Sequence, residues 1–161
     1  MQKDFIDGTL GTVEAQAIVP NVKKKIAEYK ARGDEIIFTR DTHDEDYLNT
    51  NEGRHLPVEH CILDTEGWKI HPDLDIADYE HIDKPNFGWP FWAFDSRELE
   101  DIEIVGLCTD ICVVSNAMLL KAAFPEADLF VDAACCAGVS PESHQAALTT
   151  MACCQITITN N

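Results

Sequence analysis

Long hydrophobic runs are missing from this 161-residue sequence, which has no stretch of roughly 18 apolar residues of the kind a membrane-spanning helix needs. Its start does not have the basic and then apolar pattern of a secretory signal peptide. Internal repeats and low-complexity segments are also absent. These absences predict one globular domain in the cytoplasm, with enough chain to bury a core without cross-links.

Basic residues are scarce, because 12 lysines and arginines stand against 29 aspartates and glutamates, for a formal net charge of −17. A field of this sign repels nucleic-acid phosphates and anionic lipid headgroups. We therefore expect neither a nucleic-acid partner nor a membrane partner, and we interpret the charge as serving solubility.

The seven cysteines form an odd set without the spacing of a zinc ribbon or a zinc knuckle. Two pairs, Cys135–Cys136 and Cys153–Cys154, are adjacent in sequence and poorly placed to form a disulfide, because their Cα atoms are too close. Most cysteines are therefore predicted to be reduced and buried, which suits a reducing compartment.

Strand-like and helix-like patterns alternate along the chain. Apolar residues at three- and four-residue spacing predict a helix that starts at Glu14 and ends at Gly33. The other predicted elements are strands at 35–40, 79–84, 101–108, 128–133 and 155–159 and helices at 111–123 and 141–151. Residues 41–75 are predicted to form long loops with at most one short turn of helix. This alternation predicts an α/β fold with a parallel sheet covered by helices on both faces. No strand pattern precedes the first helix.

The stretch GLCTDIC, residues 106–112, lies where a predicted strand gives way to a helix. Cys112 is thereby expected near a helix N-terminus at the carboxyl edge of the sheet, where ligands bind in open α/β folds. The helix dipole lowers the pKa of a thiol there and makes it nucleophilic. Cys108, still on the strand, should be less reactive, and Thr109 and Asp110 are predicted to cap the helix or to form the turn. A purely structural cysteine fits the same position.

A nucleophilic thiol also needs a group that manages protons and donors for the oxyanion. Lys84 ends a predicted strand at the same edge of the sheet and is a candidate electrostatic partner for a thiolate. Its spacing fits equally well an ordinary lysine whose ammonium group reaches solvent.

A candidate metal site follows the strand at 35–40. Asp41 and His43 are two residues apart at its end, so their side chains can point the same way. His60 adds a second imidazole and Glu52 a second carboxylate, and this donor set suits one divalent ion, Zn²⁺, Mn²⁺ or Fe²⁺. The alternative is a chance pattern in an acidic loop that binds no metal.

Five motifs, in this order, resemble the cysteine hydrolases of the isochorismatase-like superfamily, especially the nicotinamidase-related amidases. They are MQKDF at 1–5, TRDTH at 39–43, DKPNF at 83–87, GLCTDICV at 106–113 and SPESHQAAL at 140–148. The resemblance covers essentially the whole chain. It implies a six-stranded, mostly parallel sheet with helices on both faces, arranged as a three-layer sandwich.

The resemblance also implies roles for individual residues. Cys112 would be the nucleophile and Lys84 the lysine of a Cys-Asp-Lys triad, while the backbone N–H groups of Cys108 and Cys112 would form the oxyanion hole. A cis peptide bond is expected between Leu107 and Cys108. Asp41, His43 and His60 match the residues that hold a metal ion in nicotinamidases, where that ion binds the pyridine nitrogen of the substrate. Glu52 resembles a ligand of one subgroup. A tryptophan that nicotinamidases carry shortly before the matching histidine is absent here.

Aromatic residues complete the implied pocket. Phe5 and Phe87 match family residues of the substrate site. Trp89 and Trp92, in the loop that also holds Phe91, are interpreted as part of a loop core or a dimer interface.

The aspartate of the family triad precedes the position that Met1 matches, whereas Asp4 matches a neighbouring, structural aspartate. The chain is therefore expected to lack the first strand of its single isochorismatase-like domain together with the catalytic acid. Either Met1 is a false start within a longer protein, or the chain is an inactive remnant.

The predicted function is thiol-dependent hydrolysis of a small carboxamide, with nicotinamide as the leading substrate. The alternatives are a small ureido or carbamoyl amide as substrate, or an inactive member that serves as a binding subunit. The resemblance implies a homo-oligomer.

Overall fold

The computed structural model describes residues 1–74, 77, 79–94 and 98–161, except for the side chains of residues 93 and 94. Two compact units, Met1–Asn86 and Phe87–Asn161, make up the described chain. The strands within each unit pair in parallel, so the predicted α/β class is confirmed. Asp75, the last residue of the predicted loop region, lies outside the described residues. Among the described helices, none combines the length and the hydrophobicity that crossing a bilayer requires.

Within its described residues, the first unit contains three helices, one 3₁₀ turn and a two-stranded sheet. In chain order they are α1 (Lys3–Ile6), α2 (Val13–Arg32), β1 (Ile37–Asp41), the 3₁₀ turn Tyr47–Asn49, α3 (Asn51–His55) and β2 (Glu80–Lys84). The register of the sheet runs from Ile37 opposite Glu80 to Asp41 opposite Lys84. Both strands therefore end at the same edge, and there the two polar residues Asp41 and Lys84 face each other.

Helix α2 has the buried face and the C-terminal glycine that its sequence pattern predicts. The Thr12 hydroxyl accepts the N–H of Ala15 at 3.0 Å and so caps the first turn. Gly33 ends the helix in the left-handed region, at φ 78°, which favours glycine. The buried face carries Ala15, Ile18, Val19, Val22 and Ile26. Both predicted ends of this helix are confirmed to within two residues.

The described part of the second unit is a three-stranded parallel sheet with two α-helices. Its elements are the 3₁₀ turn Pro90–Phe94, β3 (Asp101–Leu107), the π-helical turn Thr109–Val113, α4 (Val114–Ala123), β4 (Asp128–Ala137), α5 (Pro141–Cys153) and β5 (Thr157–Thr159). The strands lie in the order β3-β4-β5. Strand β4 is longer than the predicted 128–133, because it bulges: β3 advances two residues from Ile104 to Gly106 while β4 advances from Val131 to Cys136.

The described residues contain five strands, one fewer than the six-stranded sheet that the resemblance implies. The residues before α2 form α1 instead of a strand, and Gln2 makes an isolated antiparallel bridge to Ile70. The N–H groups of Lys3 and Asp4 donate to the carbonyl oxygens of Lys69 and Gly67. The main chain of this segment is thus bonded to a loop and not to a neighbouring strand.

Candidate functional site

Three potential metal ligands meet in the first unit. Asp41, His43 and His60 are all buried, and one ligand atom from each lies within 4.8 Å of the others. Asp41 ends β1, and the chain after it pairs with the later loop in a parallel bridge between His43 and Ile62. The N–H of His43 donates to the carbonyl oxygen of Cys61 at 3.0 Å. This bridge brings His60 beside His43, although 17 positions separate them in the sequence.

The chemistry of these donors fits a divalent metal ion. His43 Nε2 is buried and has no hydrogen-bond partner among the described residues. Burial, and next the nearby His60, lower the pKa of His43 to about 4, so its imidazole is neutral at pH 7. His60 Nδ1 lies 2.8 Å from the Val58 carbonyl oxygen. Since a carbonyl oxygen only accepts, His60 Nδ1 is the donor of this bond, and Nε2 is the ring nitrogen through which His60 would bind a metal ion.

Glu52 lies beside both imidazoles. Its Oε1 is 3.7 Å from His43 Nε2 and 3.8 Å from His60 Nε2. Desolvation raises the pKa of the Glu52 carboxyl, an effect that the neighbouring His60 opposes. Glu52 belongs to α3, whose first turn is capped by the Thr50 hydroxyl. The structure thus brings all four predicted metal ligands together.

Aromatic side chains enclose the two imidazoles. The Tyr47 ring is fully buried and lies 4.8 Å from the His43 ring and 5.0 Å from the His60 ring, measured between centroids. Phe5 meets the His60 ring edge-on at 5.5 Å. Phe5 is therefore next to the candidate metal site. The other predicted pocket residue, Phe87, belongs to the second unit, where its side chain is 40% exposed.

Lys84 is 2% exposed, and this excludes the solvent-reaching lysine considered from spacing. Its ammonium group donates to Asp41 Oδ1, and also to the carbonyl oxygen of Asn86 at 3.1 Å. The register of β1 and β2 produces this pair, because Asp41 lies directly opposite Lys84. Asp41 consequently has two potential cationic partners, the lysine and a metal ion.

Gln2 is a further residue of this site that the sequence did not reveal. Its amide nitrogen donates to the carbonyl oxygens of Asp41 at 2.7 Å and Trp68 at 2.9 Å, and its amide oxygen accepts the N–H of Asp41 at 2.7 Å. Gln2 is 2% exposed. Asp4 accepts the Cys61 N–H at 2.7 Å, in keeping with its structural interpretation. Gln2 could not be identified from the sequence, because its role depends on hydrogen bonds to residues that are distant along the chain.

The candidate nucleophile lies in the second unit. Cys112 is half-buried in the π-helical turn Thr109–Val113, directly before α4, so its predicted place near a helix N-terminus is confirmed. The peptide bond between Leu107 and Cys108 is cis, as expected. Cys108 itself is not on the strand as predicted. It follows β3, and its carbonyl oxygen accepts the N–H groups of Ile111 and Val113, which closes the turn.

All seven cysteines, each within the described residues, are thiols. The expectation that most are buried is wrong: Cys61, Cys135 and Cys136 are buried, Cys108 and Cys112 are half-buried, and Cys153 and Cys154 are exposed at the end of α5. Burial raises the pKa of the Cys136 thiol to about 12, so that thiol is inert at neutral pH. Cys112 is less buried than Cys136. Unlike Cys153 and Cys154, it does not lie at the C-terminal end of a helix.

Thr109 and Asp110 form the turn but do not cap α4. The Thr109 hydroxyl shares a hydrogen bond of 2.8 Å with His144 Nδ1, and the Asp110 carboxylate accepts the Val139 N–H at 3.1 Å. Both side chains are thus bonded to residues at or just before the start of α5. The predicted role of these two residues in the turn is therefore confirmed, and their side chains bond to His144 and Val139 and not to the N-terminus of α4.

Asn116, on the first turn of α4, fixes the aromatic segment 87–92. Its amide nitrogen donates to the carbonyl oxygens of Phe87 at 3.0 Å and Cys112 at 2.8 Å. Its amide oxygen accepts the N–H of Trp89 and the indole N–H of Trp92, both at 3.0 Å. Trp92 is 7% exposed and lies in a loop core, one of its two predicted locations.

Replacing Asn116 with leucine should lower the free energy of unfolding by at least about 2 kcal/mol, because four hydrogen bonds are lost and the buried indole N–H of Trp92 is left unsatisfied. Urea denaturation measures this change. Asn49→Ala, which removes a surface side-chain bond to Asp46, is the control and should change stability by less than about 0.5 kcal/mol. Equal effects of the two substitutions would contradict the assigned role of Asn116.

The comparisons with known proteins agree with this geometry. The family model of the isochorismatase domain matches residues 1–161. An "uncharacterized isochorismatase family protein PncA" of Bacillus subtilis (strain 168) is 31% identical, over 71% of this chain and 71% of that protein.

Two solved structures have a fold similar to that of this chain. The pyrazinamidase of Pyrococcus horikoshii, solved in complex with zinc, is 26% identical with a TM-score of 0.83, covering 100% of this chain and 95% of the other. The N-carbamoylsarcosine amidase of Thermoplasma acidophilum is 20% identical with a TM-score of 0.74, covering 98% and 90%, and this likeness shows the fold alone. With its cis peptide bond, its thiol-bearing turn and a family match over its whole length, the chain belongs to the isochorismatase family.

Proposed function

We propose that this isochorismatase-family chain is a thiol-dependent amidohydrolase that cleaves a small carboxamide. The observation that carries the proposal is the position of Cys112, a half-buried thiol in the turn between β3 and α4. A thiol just before a helix is favoured as thiolate, because the unpaired N–H groups and the dipole of the helix stabilise negative charge.

The reaction has two covalent steps. The Cys112 sulfur attacks the amide carbonyl carbon, the C–N bond breaks, and the nitrogen leaves as ammonia with the proton of the thiol. Water then adds to the thioester carbonyl and the C–S bond breaks. The carboxylic acid is released as product, and the thiol of Cys112 is regenerated. We assign the backbone N–H groups of Cys108 and Cys112 to the oxyanion and Lys84 to the lysine of the triad, as the family resemblance implies.

Nicotinamide is the proposed substrate. Phe5 and Phe87 are proposed to bind its planar ring, and Asp41, His43 and His60, with Glu52 beside them, would hold a divalent ion. When bound, such an ion would supply a Lewis-acid contact for a nitrogen lone pair of the substrate. The zinc complex of the Pyrococcus horikoshii pyrazinamidase supports this assignment.

The metal site predicts selective loss of binding in histidine variants. The unmodified protein should bind one Zn²⁺, and His43→Ala or His60→Ala should weaken binding by at least about 100-fold, because each removes one imidazole ligand. Equilibrium dialysis with metal analysis measures the affinity. His55→Ala, which removes an exposed imidazole on α3, is the matched control and should leave binding unchanged. Similar losses in all three variants would mean that zinc binds elsewhere.

Ammonia release from nicotinamide, with a panel of ureido and carbamoyl amides beside it, tests the function. Hydrolysis of nicotinamide supports the leading substrate, whereas hydrolysis of a ureido or carbamoyl amide alone supports the alternative substrate class. If a folded protein cleaves no amide and Cys112 reacts with iodoacetamide no faster than exposed Cys153, the amidase proposal fails, and an inactive binding subunit becomes the better description.

We further propose that the protein is located in the cytoplasm and forms a homo-oligomer. Light scattering would measure the molar mass of the oligomer.

A further inference from the structure

The turn that carries Cys112 is bonded by side chains to the start of α5. Thr109, the first residue of the turn, is fully buried, and its hydroxyl lies 2.8 Å from His144 Nδ1. The next residue, Asp110, accepts the N–H of Val139 at 3.1 Å. Two consecutive side chains of the turn are therefore bonded to this region, Thr109 to α5 itself and Asp110 to the loop that joins β4 to α5.

His144 is itself held firmly in place. The Ser140 hydroxyl accepts the Ser143 N–H at 3.2 Å, and the Ser143 hydroxyl accepts the Ser140 N–H at 3.1 Å, so a capping box fixes the first turn of α5. The His144 N–H donates to the Ser140 carbonyl oxygen at 3.0 Å. A Cβ on Gly138 would lie 2.9 Å from the backbone nitrogen of His144, so only glycine permits this close approach of the loop.

The turn needs such support. Within it, the N–H groups of Ile111 and Val113 both converge on the Cys108 carbonyl oxygen. A π-helical turn is rarer than an α-helical one and is frequently found at functional sites, where surrounding contacts maintain it. Burial lowers the pKa of His144, although Asp110 opposes the shift, so the imidazole is neutral at pH 7 and forms its bond to Thr109 without a net charge.

We propose that His144 is a positioning residue that acts through Thr109 to hold the Cys112 turn in the geometry required for attack on the substrate. This inference rests on the proposed amidase function. His144 does not touch the reacting atoms in this assignment; it fixes the first residue of the turn, three positions before the nucleophile. The contribution is therefore to kcat, through the position of the sulfur, and not to substrate affinity.

The test compares His144→Asn with His144→Gln. An asparagine amide can take the place of Nδ1, whereas the longer glutamine side chain places its amide near the position of Nε2. Asparagine should keep kcat within about threefold, while Gln and Ala at position 144 and Thr109→Val should each lower it by about 10- to 100-fold with KM little changed. Thr109→Ser keeps the hydroxyl and should keep kcat.

A double variant and a second readout complete the design. Thr109→Val with His144→Ala should be no slower than either single variant, because both remove the same bond. The rate of Cys112 alkylation by iodoacetamide, read by peptide mass spectrometry, should fall in the same variants. Gln145→Ala, the exposed neighbour on α5, is the control and should change neither readout. Melting temperatures establish that each variant is folded.

Three results would overturn the inference. One is additive losses in the double variant, another is equal activity of the Asn and Gln variants, and the third is a loss expressed in KM alone. If Cys112 of the unmodified protein is selectively alkylated but no position-144 variant changes its rate, the inference fails while the amidase proposal stands. If Cys112 of the unmodified protein is no more reactive than Cys153, the amidase proposal fails and the inference fails with it.

Discussion

Replacing Cys112 with alanine should lower kcat for amide hydrolysis by about 10,000-fold or more, because the substitution removes the atom that forms the thioester. Activity is measured as ammonia release at saturating substrate. The effect on stability should be small, since the side chain is only half-buried and its sulfur is replaced by hydrogen. The variant should therefore bind substrate while failing to turn it over.

The matched control is Cys153→Ala, which removes an exposed thiol at the end of α5. It should retain full activity. A second comparison is Cys112→Ser, which keeps the shape of the side chain but replaces the thiol with a much weaker acid. Retention of more than a tenth of the activity in Cys112→Ala would remove Cys112 from the role of nucleophile.

Substituting Lys84 with methionine should reduce the free energy of unfolding by about 3 to 5 kcal/mol, because it leaves the buried Asp41 carboxylate without its cationic partner. Urea denaturation in the presence of a chelator measures the change without interference from metal binding. The double variant Asp41→Asn with Lys84→Met removes both charges and should recover much of the loss.

The same two strands supply an internal control. Arg40 and Asp83 occupy the preceding rung of the β1-β2 ladder, with the charges exchanged between the strands, and their ion pair is 2.7 Å long. Asp83 is 40% exposed, whereas Asp41 is 5% exposed. Asp83→Ala should therefore cost no more than about 1 kcal/mol. If Asp83→Ala and Lys84→Met lower the free energy of unfolding equally, burial is not the reason for the contribution of the Asp41–Lys84 pair to stability.

The parts of the fold that depend on local patterns were predictable. The α2 boundaries followed from the spacing of apolar residues and from Gly33, and the turn at Cys112 followed from a strand that runs into a helix. The extra length of β4 was not predictable, because its bulge depends on how β3 and β4 pair and not on the composition of either strand.

The site shows the same division. Asp41 and His43 are two residues apart and could be recognised as a pair, whereas the contact of His60 with them depends on a bridge between distant segments. Gln2 and Asn116 were missed, because an amide that bonds to main-chain groups far away in the sequence leaves no local signature. The bond between Lys84 and Asp41 likewise needed the strand register.

The bonds of Asn116 have a consequence for how this protein can diversify. At Phe87 and Trp89 they reach a carbonyl oxygen and an N–H group, so these two bonds do not depend on the side chains at those positions. We therefore expect other side chains to be accepted at both positions while the bonds to Asn116 hold the main chain. Amino-acid exchanges at these two positions are therefore open to selection at little cost in folding, whereas exchange of Asn116 is not.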